Sequence, residues 1–273
     1  MFADLHIHTD YSDGIYSPES IIKKSLKAKL TKISITDHDI FLGNLEAREI
    51  AKKKRYKLEI IPGVEFSAFT QNKEIHIIGL FIDFENYKII NLVNDLQIRR
   101  RKTVKNIINY LNQKAVNISY EDVLSLAKGS IGRPHIAHEL INKGYALSVN
   151  DAFDRYISNN ILGDVREPSL SIKNAIKVIK DAGGISVYAH PNLTDKNFFN
   201  DLREMKEIGL DGIEVSSPRY GLSRQKELME ICNKLNLIKS GGSDFHGFHK
   251  GIDIEPKNGI NEIEFKNLIR SIE

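Results

Sequence analysis

Cysteine is nearly missing from this chain: Cys232 stands alone among 273 residues. A single thiol closes no disulfide within the chain and builds no thiolate metal cluster, which suits a reducing cytoplasm. No run of about 18 apolar residues occurs, so no membrane span is expected. No basic segment leads into an apolar one at the start, so no secretory signal is expected. Neither sign of charge dominates. With 39 Lys and Arg against 36 Asp and Glu, the net charge of +3 is too small to argue for nucleic acid by itself. Internal repeats and low-complexity linkers are absent too. What remains is 41% hydrophobic and 27% charged, an ordinary soluble composition, at a length that suits one large α/β domain or a domain with an insertion.

Seven short β-branched segments stand out, at roughly 3–8, 32–37, 58–64, 74–82, 184–189, 212–216 and 238–242, and helical patterns separate most of them. Ser17-Pro18-Glu19 opens a helix, with Ser as N-cap and Pro in the first turn. Further helices are expected at 43–55, at 171–181 (stopped by Gly183-Gly184), at 222–235 and at 262–272. Strand–helix alternation of this kind predicts a mostly parallel sheet, open or closed into a barrel. The alternation breaks between 87 and 168, where helices at 87–111, from Ser119, at 133–142 and at 151–158 predict a small all-helical insertion.

The polar residues cluster where strands end, which is where α/β folds place their chemistry. His6 and His8 lie two apart on a strand and share a face, with Asp13 in the turn beyond. His38 ends the second segment in Thr36-Asp37-His38-Asp39, and Glu65 ends the third in Pro62-Gly63-Val64-Glu65. His76 lies within the fourth, His190 follows the fifth in Ala189-His190-Pro191, and Asp244 and His246 follow the seventh in Gly242-Ser243-Asp244-Phe245-His246. Six imidazoles and three carboxylates are donors enough for two or three divalent ions. With no thiolate among them they suit Mn²⁺, Fe²⁺ or Zn²⁺ better than Mg²⁺ or Ca²⁺. Asp37 and Asp39 flank a donor and are expected to support it; His138 and His249 are expected to be structural.

These motifs, H-x-H-T-x-x-S-D-G, T-D-H-D, P-G-x-E, H-I-I-G, A-H-P and G-S-D-x-H, resemble in content and order those of the PHP (polymerase and histidinol phosphatase) family. The resemblance implies a distorted seven-stranded (β/α) barrel, formed by 1–86 and 169–273, with 87–168 as a helical substrate cap. It implies a first ion on His6, His8, Glu65 and Asp244, a second on Asp13, His38 and His246, and a third on His76, His190 and the shared Glu65; it favours Mn²⁺. Gly132-Arg133-Pro134-His135-Ile136-Ala137 resembles the TrpH/YciV-like stand-alone branch. That branch implies hydrolysis of nucleoside 3′,5′-bisphosphates or 5′→3′ hydrolysis of short 5′-phosphorylated RNA, with no membrane and no stable protein partner.

Arg133 and His135, at a helix start, suit a phosphate held over the metals. Arg219 and Tyr220 follow the sixth segment at the expected mouth of the barrel and are candidates for a phosphate or base contact. The basic stretch Arg99, Arg100, Arg101, Lys102 and Lys105 reads as a solvated helix face, and 52–55 as a helix end favoured by the dipole. The expected chemistry is attack on phosphorus by a water activated between clustered ions. Competing readings are a histidinol-phosphate phosphatase, a non-catalytic module of a polymerase complex, and an amidohydrolase acting on a C–N bond.

Overall fold

A computed structural model describes residues 2–70, 73–165, 170–247 and 252–270. The chain runs through β1 (Phe2–Ile7), α1 (Pro18–Lys27), β2 (Lys32–Ile35), α2 (Leu42–Lys54), β3 (Glu59–Ile60), β4 (Gly63–Phe69) and β5 (Glu74–Leu80). Helices follow: α3 (Tyr87–Gln113), α4 (Tyr120–Ser125), α5 (Arg133–Asn142), α6 (Val149–Ala152), a π-helical turn (Phe153–Ile157) and α7 (Asn159–Leu162). Alternation then resumes with β6 (Leu170–Ser171), α8 (Ile172–Asp181), β7 (Ile185–Tyr188), α9 (Phe198–Glu207), β8 (Gly212–Ser216), α10 (Leu222–Leu235), β9 (Ile238–Gly241), β10 (Ile260–Asn261) and α11 (Glu262–Ile269).

Each of the seven expected segments holds a strand, but the ladders among the described residues form two sheets, β10-β1-β2-β3 and β6-β4-β5-β7-β8-β9. Five of the eight pairings are parallel; β5 runs antiparallel to both β4 and β7, and β10 antiparallel to β1. The third expected segment is split. The Ile61 N–H still donates to Ile33 across the first sheet, but Pro62 has no N–H to continue the ladder, and the chain crosses to the second sheet as β4. Two seams rejoin the sheets just beyond the strand ends. His8 N–H donates to Phe245 and Asp244 N–H to His6 on one side; Asp39 N–H donates to Glu65 on the other. The motifs carrying His6, His8, His38, Glu65, Asp244 and His246 lie on these seams, whereas His76 and His190 come from β5 and the end of β7 within the second sheet.

Ser17 caps α1 through its hydroxyl, as expected. Helix α9 and the two-residue strands β6 and β10 had no clear sequence signal. The expected last helix ends at Ile269; residues 271 and 272, the 168/169 boundary and His249 lie outside the described residues.

Helix α3 joins two cores. Ile89, Val93 and Leu96 pack with the second sheet and its helices. Val104, Ile107, Ile108 and Leu111 pack with Ile136, Ala137 and Leu140 of α5 in a separate cluster. At about 1.5–3 kcal/mol per buried aliphatic side chain, these contacts set the angle at which the helical stretch stands over the sheets.

Candidate metal centre

The seam between β1 and the loop after β9 brings His6, His8 and Asp244 together, and Glu65 approaches them from β4. His6 Nε2 and His8 Nε2 are 3.1 Å apart. Glu65 Oε2 lies 3.3 and 3.2 Å from them, and Asp244 Oδ1 3.4 and 3.3 Å. Donors held about 2.1 Å from a tetrahedrally bound ion stand about 3.4 Å apart, so these distances are of the size an ion held by His6, His8 and Asp244 needs, with Glu65 beside both imidazoles. Asp13 Oδ1 is 3.2 Å from His246 Nε2, 3.7 Å from His38 Nε2 and 3.8 Å from His8 Nδ1. On the other side Glu65 Oε1 is 3.0 Å from His76 Nδ1 and 3.2 Å from His190 Nε2, which are 3.1 Å from each other. The two Glu65 oxygens thus face different histidine groups. All nine candidate donors converge on one place.

Backbone geometry serves this convergence. Asp39, His190 and Asp244 have φ of +54°, +34° and +51°, left-handed values that non-glycine residues adopt mainly where surroundings enforce them. Gly242 is needed because a Cβ there would meet His6 Cβ at 2.4 Å; the loop passes directly over β1.

The imidazoles are held from behind. His6 Nδ1 lies 3.2 Å from Glu214 Oε1, so a proton held there turns Nε2 toward the cluster as the nitrogen available to an ion. Ser12 donates to Asp37 and so offers its lone pair to His8 Nδ1–H. His246 Nδ1–H donates to the Asp244 carbonyl at 2.8 Å. Asp37 also accepts from the Thr9 N–H and hydroxyl, and so shapes the turn that carries Asp13.

Burial disfavours charge on His6, His8, Asp13, His38, Glu65, His76, Asp244 and His246, but their mutual attraction overrides it for most. The Asp244 and Glu65 carboxylates push His8 up to about 9, and Glu65 with Glu74 pushes His76 up to about 10. Glu65, Asp244 and Glu214 lift His6 well above its ordinary value. Despite burial, the surrounding imidazoles hold Asp13, Glu65 and Asp244 well below the usual carboxylate range. Burial wins at His38 and His246, which are shifted down. Asp13 Oδ1, His38 Nδ1 and Glu65 Oε2 are buried with no well-formed hydrogen bond. A set of buried, under-satisfied lone pairs around a carboxylate core is what a cation site requires, and the residues fit divalent ions.

A cavity of about 450 Å³ opens over the cluster, and Arg133, His135 and Arg219 all line it. Arg219 is ion-paired with Asp244. Arg133 donates to Glu74 Oε2 at 3.0 Å and to Asn159 Oδ1 at 2.7 Å. His135 Nδ1 accepts from Gly132 N–H at 3.2 Å, and burial lowers its pKa; the neutral ring therefore keeps its proton on Nε2. Tyr220 is not at the mouth: it is buried and its hydroxyl donates to the Pro191 carbonyl.

Two residues escaped the sequence reading. Glu214 is buried mid-strand in β8, on His6 through Oε1 and on the His190 N–H through Oε2 at 2.8 Å. Arg100 is not on a solvated face. It bonds Asp39 through Nε at 2.7 Å, Ser67 Oγ at 3.1 Å and the Ile131 carbonyl at 3.3 Å. A lone carboxylate inside the apolar run Gly-Ile-Glu-Val-Ser was the available signal for Glu214; Arg100 had none that set it apart from its basic neighbours.

The PHP domain family model matches residues 4–163. The chain belongs to the PHP domain family. Among relatives of this PHP protein is the 5′-3′ exoribonuclease Rnm of Escherichia coli, 32% identical over 247 residues, covering 89% of this chain and 84% of that protein. A 3′,5′-nucleoside bisphosphate phosphatase of Chromobacterium violaceum is 26% identical, covering 91% of this chain and 88% of the relative. Among solved structures, a candidate metal-dependent phosphoesterase from Bifidobacterium adolescentis superposes with a TM-score of 0.86 at 28% identity, covering 98% of this chain and 95% of that one.

Proposed function

We propose that this PHP protein is a metal-dependent phosphoesterase that hydrolyses phosphate esters of nucleotides: nucleoside 3′,5′-bisphosphates, the 5′ end of short RNA, or both. The observation that carries the reading is the four-donor set of His6, His8, Glu65 and Asp244 at ion-binding spacing, at the floor of a cavity lined by cations. His6, His8, Glu65 and Asp244 would hold one ion, Asp13, His38 and His246 a second, and His76, His190 and Glu65 a third. Mn²⁺ is the preferred metal, with Fe²⁺ or Zn²⁺ as alternatives. When bound, such ions polarise the phosphoryl group and lower the pKa of water toward neutrality.

The chain's own residues do the rest. Arg133 brings a permanent positive charge to the phosphate, and Glu74 and Asn159 fix its direction beforehand. Neutral His135 presents an Nε2–H donor to a phosphoryl oxygen. Arg219 is placed for a second phosphate contact on the Asp244 side. Residues 87–168 act as the substrate cap over a body formed by 1–86 and 169–273. The two seams support reading that body as one distorted seven-stranded barrel.

The test is to offer the Mn²⁺-loaded protein adenosine 3′,5′-bisphosphate, a 5′-phosphorylated short RNA and histidinol phosphate in parallel. Release of phosphate or mononucleotide from the first two is expected. Turnover of histidinol phosphate alone, or of none, overturns the reading.

A further inference from the structure

Gly129 and Ser130 belong to the loop between α4 and α5, yet they rest on the turn that carries Asp13. The Ser130 N–H donates to the Tyr11 carbonyl at 2.7 Å. A Cβ at Gly129 would meet the same carbonyl oxygen at 2.5 Å and a Tyr11 ring carbon at 3.2 Å, so only glycine lets the two backbones come this close. Tyr11 is held from its other side as well. Its hydroxyl donates to Glu46 of α2 at 2.7 Å. The Lys128 ammonium sits 3.9 Å from the centre of its ring and pairs with Asp10 and Glu46. These charges are partly exposed and each adds little, but together they fix the ring against which the loop lies.

The turn leads straight to the second set of donors. Asp13 lies two residues beyond Tyr11. The turn is tight: the Ser12 and Gly14 N–H groups both donate to the Thr9 carbonyl at 3.0 Å, so a shift at Tyr11 moves Asp13 with it. The Ile15 N–H then donates to the His246 carbonyl at 2.9 Å. The same loop reaches the neighbour of His38 through α3. The Gln97 amide donates to Ser130 Oγ at 3.2 Å and to the Asp39 carbonyl at 2.8 Å. Arg100 joins the Ile131 carbonyl to the Asp39 carboxylate. His6 and Asp244, by contrast, are held by groups that belong to the sheets: the seam between β1 and the loop after β9, and Glu214 behind His6. Asp13, His38 and His246 all line the cavity beneath the helical stretch, so these are the donors that its seating can move.

We propose that loop 128–131 is a clasp that positions Asp13 through Tyr11, so that filling of the Asp13, His38 and His246 set and seating of the helical stretch are coupled. The proposal rests on the donor assignment above, not on which phosphate ester is cleaved. Such coupling is reciprocal: whatever tightens the clasp raises the affinity of this set, and an ion bound there tightens the clasp. The helical stretch then closes over a filled centre in preference to an empty one.

The test uses the full chain without substrate. Mn²⁺ uptake under a competing chelator is compared for the wild type, Gly129→Ala, Asp13→Ala and, as control, Gly221→Ala, where an added Cβ meets nothing within 4 Å. Amide hydrogen exchange over 128–131 is followed on the same samples. Gly129→Ala should weaken, about 10-fold or more, the ion that Asp13→Ala removes, and leave the other ions within about twofold. Gly221→Ala should match the wild type. Mn²⁺ should slow exchange of the Ser130 N–H about 10-fold or more in the wild type and not in Asp13→Ala. Unchanged uptake by Gly129→Ala, equal weakening of every ion, or the same weakening by Gly221→Ala overturns the clasp. So does exchange at Ser130 that ignores Mn²⁺ or is slowed equally in Asp13→Ala. Should Gly129→Ala not fold, the exchange comparison of wild type with Asp13→Ala decides alone. A clasp that behaves as expected in a protein that cleaves no phosphate ester overturns the phosphoesterase reading and leaves the coupling standing; a chain that takes up no Mn²⁺ overturns both.

Discussion

Glu65 is the residue on which the proposed cluster turns, because its two oxygens face different histidine groups. Glu65→Gln should therefore lose two ions together, read as metal per chain by elemental analysis, with activity reduced at least about 100-fold; full retention of metal would refute the shared role. His6→Ala and Asp13→Ala should each lose a different ion, since Asp13 faces His38 and His246 while His6 faces Glu65 and Asp244. Glu214→Gln is predicted to weaken metal binding about 10- to 100-fold without removing a donor, because it weakens the bond that orients His6. A titration of the variant with Mn²⁺ under competing chelator measures this.

At the level of elements, α3 is latched to the seam between the sheets through Arg100 and Asp39. Asp39 also accepts from the Ser67 N–H, so one carboxylate ties α3, the end of β2 and β4 together. Arg100→Ala leaves Asp39 buried without its cation and should cost about 3 kcal/mol in urea unfolding. A loss under about 1 kcal/mol would show that the latch is dispensable. Cys232, buried in α10, has its thiol pushed up to about 12 by burial. The folded protein keeps this proton after the unfolded chain, with a thiol pKa of about 8.5, has lost it. The thiol's contribution to stability is thus fully present below that value and is lost as pH rises toward 12. Iodoacetamide at pH 8 should modify Cys232 only after denaturant is added; rapid labelling of the native protein would contradict its burial.

Across the whole molecule, the donors come from both sheets, so ions bound among them would act as cross-links between distant segments. Ligand that binds only the folded state stabilises it by about 2.7 kcal/mol at one hundred times its Kd. Mn²⁺ should accordingly raise Tm by several degrees in differential scanning calorimetry, and a chelator should reverse the change. The amino-acid order was enough to name the candidate donors, because each lies in a local signal: two histidines on one strand face, a carboxylate in the turn beyond them, a histidine within a strand, or a histidine or carboxylate just past an apolar run. It also placed seven strand-bearing segments and the helical interruption, since periodicity depends only on near neighbours. Pro62 was visible, yet its consequence was not: whether the chain stays in one sheet or crosses to another depends on which edge is open. Glu214 and Arg100 were missed for the same reason, their partners being up to 208 residues away in the chain. Local spacing decides which face a side chain takes. Which atoms then meet, with Glu65 turned toward two groups and Arg100 inward rather than solvated, is decided only when the two sheets pack together, because burial makes an unpaired polar group costly and so selects the arrangement in which distant groups meet.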